Sequence, residues 1–133
     1  MLLVTVLCWG ISPVIERIGL GRVDPWTGIF IRSVVIILVL TVFMTFSGKM
    51  EGLKNVDGKT ILVFTLSGFL AGLIGMVTYF ILLKMSLASK IVPLVATYPL
   101  VTAILSTVFL KEPVTLERLI GTVLIVGGVF LVK

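Results

Sequence analysis

The sequence predicts an all-α membrane protein in which residues 1–133 form one domain with five transmembrane helices. Hydrophobic side chains make up 59% of the 133 residues and charged ones 13%, against about 45–50% and about 25% in soluble domains. The mean hydropathy is +1.28. The apolar residues form five runs that reach the ~20 residues a spanning helix needs. These observations exclude a water-soluble globule.

Composition also argues against several functional classes. The chain has no histidine and one cysteine, Cys8, so we expect no enzyme activity, metal, cofactor or disulfide framework. Cys8 has no histidine to activate it, and Asp24 and Asp57 fall in loops. The net charge of +5 comes from basic residues scattered between apolar runs. That pattern lacks the basic stripe that binds a phosphate backbone, so no nucleic-acid partner is expected.

The five helices are predicted at about 2–20, 26–46, 60–83, 89–110 and 114–132, with charged and turn-forming residues between them. Pro25 and Pro113 stand where a helix would begin, a position that tolerates proline. The first run could be read as a secretory signal. It lacks a basic leading segment and a small-residue cleavage site, and it contains Trp9 and Pro13. We therefore expect it to be a mature helix.

The basic residues of alternate loops indicate membrane orientation. An odd number of spans places the two ends of the chain on opposite faces of the bilayer. Arg32 is not counted because it lies inside the second span. The two faces then receive the same number of basic residues. One face has Lys49, Lys54, Lys59, Lys111 and Arg118, and the other has Arg17, Arg22, Lys84, Lys90 and Lys133. Two interpretations stay open: a modest bias hidden by imprecise helix ends, or insertion of copies in both orientations.

Arg32 is predicted about two turns into the second span, where an unpaired charge costs about 2.5–3.5 kcal/mol. Glu16 lies about one turn from the end of the first span, and the short connection makes the two helices antiparallel. The sequence therefore predicts a pair between Glu16 and Arg32. The alternative is that Arg32 extends to the headgroups on its own aliphatic stem.

Pro13 and Pro99 fall inside predicted helices, where each ring frees a carbonyl four residues earlier. These carbonyls, of Trp9 and Val95, must face protein, water or a ligand at membrane depth. Helices broken in this way shape the binding sites of many transporters. The alternative is a packing kink satisfied by a neighbouring serine or threonine.

Two stripes follow the helical period. The third helix carries Gly68, Gly72, Gly75 and Tyr79, and the fourth carries Tyr98, Thr102 and Ser106. The glycines are typical of close helix packing. The aligned hydroxyls of the fourth helix favour a partner or a wet cavity, whereas the fifth helix has Thr122 as its only hydroxyl and is expected to pack or to face lipid.

Several short motifs together resemble the EamA-like domain of the drug/metabolite transporter superfamily. They are Trp9-Gly10, Arg32, Lys90-Ile91-Val92-Pro93, Tyr98-Pro99, Leu110-Lys111-Glu112, and Gly121 to Gly128. The resemblance covers essentially the whole chain. It departs from the family pattern after the fourth span, where Lys111-Glu112 is followed by Pro113. We expect Glu112 to lie in the first turn of the fifth helix, near the positive end of its dipole.

The resemblance implies one half of a ten-helix inverted-repeat transporter of the inner (cell) membrane that moves a small metabolite or drug-like solute by alternating access. A second copy in an antiparallel homodimer, or a related half-transporter, would supply the other half. The site expected from it has Trp9, Tyr79, Tyr98 and Thr102 lining the cavity, with Glu16 and Arg32 as a coupling or gating pair. The competing hypothesis is a non-transporting membrane subunit.

Overall fold

The computed structural model describes residues 1–113 and 115–132, and over these residues the regular structure is helical. The predicted loop cation Lys133 and the predicted first residue of the fifth helix, Val114, lie outside the described residues. The chain divides into two compact units, Met1–Lys84 and Met85–Lys133.

The first unit contains three long apolar helices, which are α1 (Leu2–Leu20), α2 (Pro25–Phe46) and α3 (Gly58–Met85, whose last residue begins the second unit). Each is long and apolar enough to cross a membrane. The predicted bounds match α1 and differ from those of α2 by one residue at its start. A short 3-10 segment, Lys49–Asn55, connects α2 to α3.

Capping explains why α2 begins where it does. The Asp24 carboxylate accepts the backbone N–H groups of Trp26 and Thr27, at 2.9 and 3.2 Å, and the Thr27 hydroxyl as well. Pro25 follows at the first helical position, where its missing N–H costs nothing. The hydrogen bonds from Thr27 lower the pKa of the Asp24 carboxyl below its ordinary value of 3.8. Asp24 is therefore ionised and fixed at the helix start.

The packed core of the first unit lies at one end of its helices. Five apolar side chains are buried there, namely Leu20, Ile29, Val77, Phe80 and Leu83. Gly28 allows this contact, since a Cβ atom there would stand 3.3 Å from Cε2 of Phe80 and 3.5 Å from Cδ2 of Leu20. The end of α1, the start of α2 and the end of α3 therefore meet, whereas the opposite ends of these helices carry mostly exposed apolar side chains.

The middle of α3 is widened. Between Gly68 and Gly75 the helix takes π-type hydrogen bonding, with α-helical segments on either side. A Cβ atom at Gly75 would stand 3.1 Å from the carbonyl oxygen of Leu70, five residues back. Glycine at this position gives room for the wider turn.

The second unit contains α4 (Ala88–Leu110) and α5 (Leu116–Val132), which lie against each other. Helix α4 meets the length and hydropathy of a membrane span, so the described residues contain four such helices. Helix α5 has 17 described residues, which corresponds to about 25 Å. Its assignment as a fifth span remains a prediction.

The predicted start of α5 was too early. The helix begins at Leu116, and the Thr115 side chain accepts the backbone N–H of Arg118 at 3.3 Å in the manner of an N-cap. Glu112 therefore precedes the helix, and its predicted place in the first turn was wrong. Glu117 is the acidic residue of that turn.

Helix α4 is broken into two segments, Ala88–Val95 and Tyr98–Leu105, and the second continues as a π-type turn through Leu110. Pro99 stands in the first turn of the second segment, and Pro93 lies inside the first one. The Thr97 hydroxyl donates to the carbonyl of Leu94 at 2.8 Å, next to the break. The backbone of α4 is therefore irregular close to both prolines.

Candidate functional site: a charged pair in the first unit and a hydroxyl-lined groove in the second

The first unit holds an ion pair within its apolar helices. Nη1 of Arg32 on α2 lies 3.5 Å from Oε1 of Glu16 on α1, and it also contacts Sδ of Met76 on α3 at 3.3 Å. The Glu16 side chain is 14% exposed and that of Arg32 is 43% exposed. This is the only ion pair among residues 1–113 and 115–132. The three helices thus share one guanidinium group.

The antiparallel connection of α1 and α2 brings the pair together. Glu16 is four residues from the end of α1 and Arg32 seven residues from the start of α2, or about 6 and about 10 Å along the helix axes. The long arginine side chain bridges the difference in depth. The structure therefore places both predicted residues side by side, one to two turns inside their helices.

Tyr79 extends this region on α3. It lies almost one turn after Met76, is half-buried, and has its ring centroid 6.2 Å from that of Phe80. Residues three apart on an α-helix share a face, so Tyr79 lies on the same side of α3 as Met76. We call Glu16, Arg32, Met76 and Tyr79 the charged cluster. It combines a guanidinium group that donates hydrogen bonds, a carboxylate, a thioether and an aromatic ring.

Trp9 does not belong to the charged cluster. It lies seven residues before Glu16 on α1, about two turns away, and is 65% exposed. Pro13, between them, is buried and α1 continues through it. The neighbouring Ser12 hydroxyl donates to the carbonyl of Cys8 at 2.8 Å, so the side-chain bond goes to a different carbonyl from the one that Pro13 frees.

The three glycines of α3 have different surroundings. A Cβ atom at Gly68 or Gly72 would meet no atom within 4 Å in the described structure, whereas Gly75 approaches the Leu70 carbonyl of its own helix. Close packing of another helix on Gly68 and Gly72 is therefore not seen in this chain, and their packing role remains a prediction. Their face is open to lipid or to another protein.

The second unit contains an open groove of about 780 Å³ between the second half of α4 and α5. Tyr98, Thr102 and Ser106 line one wall, and Glu112, Arg118 and Thr122 line the other side. Most of the remaining lining is aliphatic. The predicted hydroxyl stripe of α4 therefore faces a groove of a size suited to a small organic solute.

Three hydroxyl groups in the groove donate hydrogen bonds to carbonyl groups of their own helices. Thr102 donates to the carbonyl of Tyr98 at 3.3 Å, Ser106 to that of Ala103 at 3.2 Å, and Thr122 to that of Arg118 at 2.8 Å. Their oxygen lone pairs remain able to accept hydrogen bonds. The phenol of Tyr98 makes no hydrogen bond within the described part of the chain, so it can donate to a bound solute.

The described side chains of each unit offer groups for binding. Cys8 is a free, exposed thiol, and the described residues contain no group of three His, Cys, Asp or Glu side chains that could hold a metal ion. The first unit offers one charged pair and aromatic faces, and the second offers hydroxyl groups on apolar helices.

Comparison with known proteins identifies the family. The EamA-like transporter family matches residues 1–133. The chain belongs to this family. The resemblance seen in the sequence is thereby confirmed, and this EamA-like chain is a multi-pass membrane protein of a family of transporters, not of enzymes.

Three relatives have similar sequences. The chain is 29% identical over 132 residues to an uncharacterized transporter of Archaeoglobus fulgidus, which covers 99% of this chain and 46% of the relative. It is 27% identical over 121 residues to an uncharacterized transporter in the cobO 3' region of Sinorhizobium sp, covering 91% and 85%. An uncharacterized protein of Methanocaldococcus jannaschii is 32% identical over 131 residues, covering 98% and 92%. The EamA-like chain thus spans about half the length of the first relative. No solved structure matches it significantly.

Two features of the site were not predicted from the sequence. Met76 contacts Arg32 through its sulfur, and no residue pattern distinguishes this methionine from others in apolar helices. Glu112 and Arg118 also line the groove, Glu112 before the late start of α5 at Leu116 and Arg118 in the first turn of that helix. The Thr115 cap was the available signal for that late start.

Proposed function

We propose that the EamA-like chain is one half of a secondary transporter that moves a small metabolite or drug-like solute across the inner (cell) membrane by alternating access. A second copy in the opposite orientation, or a related half-transporter, would complete the conduit. The observation that carries this proposal is the Glu16–Arg32 pair inside two apolar helices, with Arg32 still 43% exposed within the chain. Charged groups at membrane depth mark solute or ion pathways.

Several observations support a second half. The core of the first unit is confined to one end of its helices, and Gly68 and Gly72 have open space beside them. Small residues with no neighbour in the chain favour close approach of another helix in the bilayer. The Archaeoglobus relative is about twice as long as the segment it shares with this chain. The balanced loop cations favour insertion in both orientations.

Each unit offers polar groups as candidates for solute contact. Tyr98 and Thr102 would contact the solute in the groove, and Tyr79 and Trp9 would add aromatic surface. The Glu16–Arg32 pair would open and close as the two halves rock about the site. If transport is coupled to protons, Glu16 is the proposed carrier, so Glu16→Gln should abolish pH-driven uptake and leave counterflow exchange. Unchanged pH-driven uptake in that variant would refute the coupling.

A test of orientation needs a single reactive thiol at a known position. In a Cys8→Ala background, Lys54→Cys places one thiol in the connection between α2 and α3. A membrane-impermeant maleimide should label about half of the copies from each side of the membrane. Labelling from one side alone would contradict the antiparallel homodimer and support a heteromeric or non-transporting subunit.

A test of transport uses purified protein in lipid vesicles, screened against amino acids, nucleosides, polyamines and cationic dyes. Thr102→Val should raise the KM of the transported solute severalfold. Thr41→Val on α2 is the matched control, because its hydroxyl also donates to the carbonyl four residues back and it lines no part of the groove. Absence of transport for every class, or equal effects of the two variants, would contradict the proposed site.

A further inference from the structure

Three basic residues cluster at one end of the first unit. Arg17 lies in the last turn of α1, Lys84 in the last turn of α3, and Arg22 in the connection between α1 and α2. We call Arg17, Arg22 and Lys84 the basic end. The first unit brings them together although they are up to 67 residues apart in sequence.

Hydrogen bonds from the side chains to backbone carbonyl groups fix two of these cations. Nη1 of Arg17 donates to the carbonyl oxygen of Lys84 at 2.8 Å, and Nζ of Lys84 donates to the carbonyl oxygen of Val23 at 2.8 Å. Val23 is the neighbour of Arg22 in sequence. The end of α1, the α1–α2 connection and the end of α3 are therefore joined, and the cations are held in place before any ligand arrives.

Most of the cationic donors remain available. A guanidinium group has five N–H donors and an ammonium group has three, and each uses one in these bonds. No carboxylate lies within 4 Å of the basic end in the described part of the chain, where the charged cluster holds the only ion pair. Glu16, next to Arg17 in sequence, pairs with Arg32, and Asp24, two residues after Arg22, is occupied by Thr27 and by the backbone at the start of α2.

The basic end lies where a membrane has its phosphate groups. It stands at the ends of three apolar helices, each long enough to span. Trp26, in the first turn of α2, is exposed at the same end. Tryptophan and basic side chains at helix ends are typical of the headgroup level of a bilayer. Anionic lipids provide phosphate at this level, with acyl chains that can lie along apolar helix faces.

We propose that the basic end is a binding site for the phosphate group of an anionic phospholipid. The free donors of Arg17, Arg22 and Lys84 hold the phosphate, and Trp26 contacts the lipid beside it. A bound lipid would strengthen the connection between α1 and α3. The site is separate from the charged cluster and does not depend on which solute is moved.

The test measures thermal unfolding of the purified full chain in detergent micelles during titration with short-chain phosphatidylglycerol. Phosphatidylcholine of the same chain length and inorganic phosphate are titrated in parallel. We expect phosphatidylglycerol alone to raise the Tm. Arg22→Gln should weaken its apparent affinity about fivefold, as expected for about 1 kcal/mol per interfacial cation. Without lipid this variant should unfold like the parent, because the Arg22 side chain makes no hydrogen bond in the described structure.

Lys54→Gln is the matched control, since Lys54 is exposed at the opposite end of the first unit. It should leave the affinity for phosphatidylglycerol unchanged. The proposal is overturned if phosphatidylglycerol does not raise the Tm, or if phosphatidylcholine raises it equally. It is also overturned if inorganic phosphate has the same effect at the same concentration, or if Lys54→Gln and Arg22→Gln weaken binding to the same extent.

Discussion

The separate losses of Glu16 and Arg32 should together destabilise the EamA-like fold more than the loss of both in one variant. At the observed 3.5 Å, two unit charges attract by about 1 kcal/mol in water and about 5 kcal/mol at an effective dielectric constant of 20. Arg32 is 43% exposed and Glu16 is 14% exposed, so the attraction is reduced toward the lower figure by screening. We expect a coupling free energy of about 1–2 kcal/mol.

The coupling is measured by a double-mutant cycle with Glu16→Gln, Arg32→Met and the combined variant. The free energy of unfolding is obtained from denaturation in mixed micelles followed by circular dichroism. Arg32→Lys is the conservative control and should keep part of the coupling, since lysine retains the charge but not the planar fork. A coupling free energy below about 0.3 kcal/mol, the usual error of additivity, would refute the attractive pair as a source of stability.

Other substitutions test the packing and the helix ends. Gly75→Ala should destabilise the protein by about 1 kcal/mol because its Cβ would stand too close to a carbonyl of its own helix, whereas Gly72→Ala, with open space in the chain, should be neutral or stabilising in the monomer. Phe80→Ala should cost roughly 1–3 kcal/mol by lost packing, and exposed Phe64→Ala should cost little; equal losses in chemical denaturation would contradict the packed core. The pKa of Asp24 is lowered in the folded chain, so its stabilising effect is complete above about pH 3.8 and is lost as the pH falls through the lower folded value. Asp24→Ala should reduce this acid dependence of the Tm, and an unchanged pH profile would contradict the cap.

The positions of the long helices could be predicted from sequence because apolar runs in a membrane protein end at polar, glycine or proline residues. Helix α1 ends before Gly21 and α2 begins at Pro25, as the sequence indicates. The proximity of Glu16 and Arg32 follows from the same reasoning, since a short connection leaves two antiparallel helices little freedom of register. Helix length and loop length were sufficient for both.

The predicted alignment of Gly68, Gly72, Gly75 and Tyr79 on one face of α3 assumed a uniform period of 3.6 residues. The π-type turn from Gly68 to Gly75 takes more residues per turn, so it rotates Tyr79 relative to the first glycines. Tyr79 is half-buried in the charged cluster, whereas Gly68 and Gly72 face open space. Glycine content alone does not reveal such a turn, because glycine is frequent in membrane helices generally.

The basic end could not be predicted from sequence patterns either. Lys84 and Arg17 were assigned to loop charge, and their number says nothing about which carbonyls they bind. The bonds to the carbonyls of Lys84 and Val23 depend on how α3 returns to the α1–α2 connection. That placement is a property of the folded unit and not of local residue preference.

The widened turn of α3 has a mechanical consequence. A π-type turn hydrogen-bonds five residues back where an α-helix bonds four back, so an exchange of one acceptor for its neighbour would move the turn along the helix. Such a move would rotate one half of α3 about the helix axis relative to the other half. Few backbone N–H and C=O groups would lack a hydrogen-bond partner in the hydrocarbon region during the move. Met76 and Tyr79 lie in the half of α3 that follows the widened turn. They would rotate with that half, so the helix could redirect these side chains without unfolding.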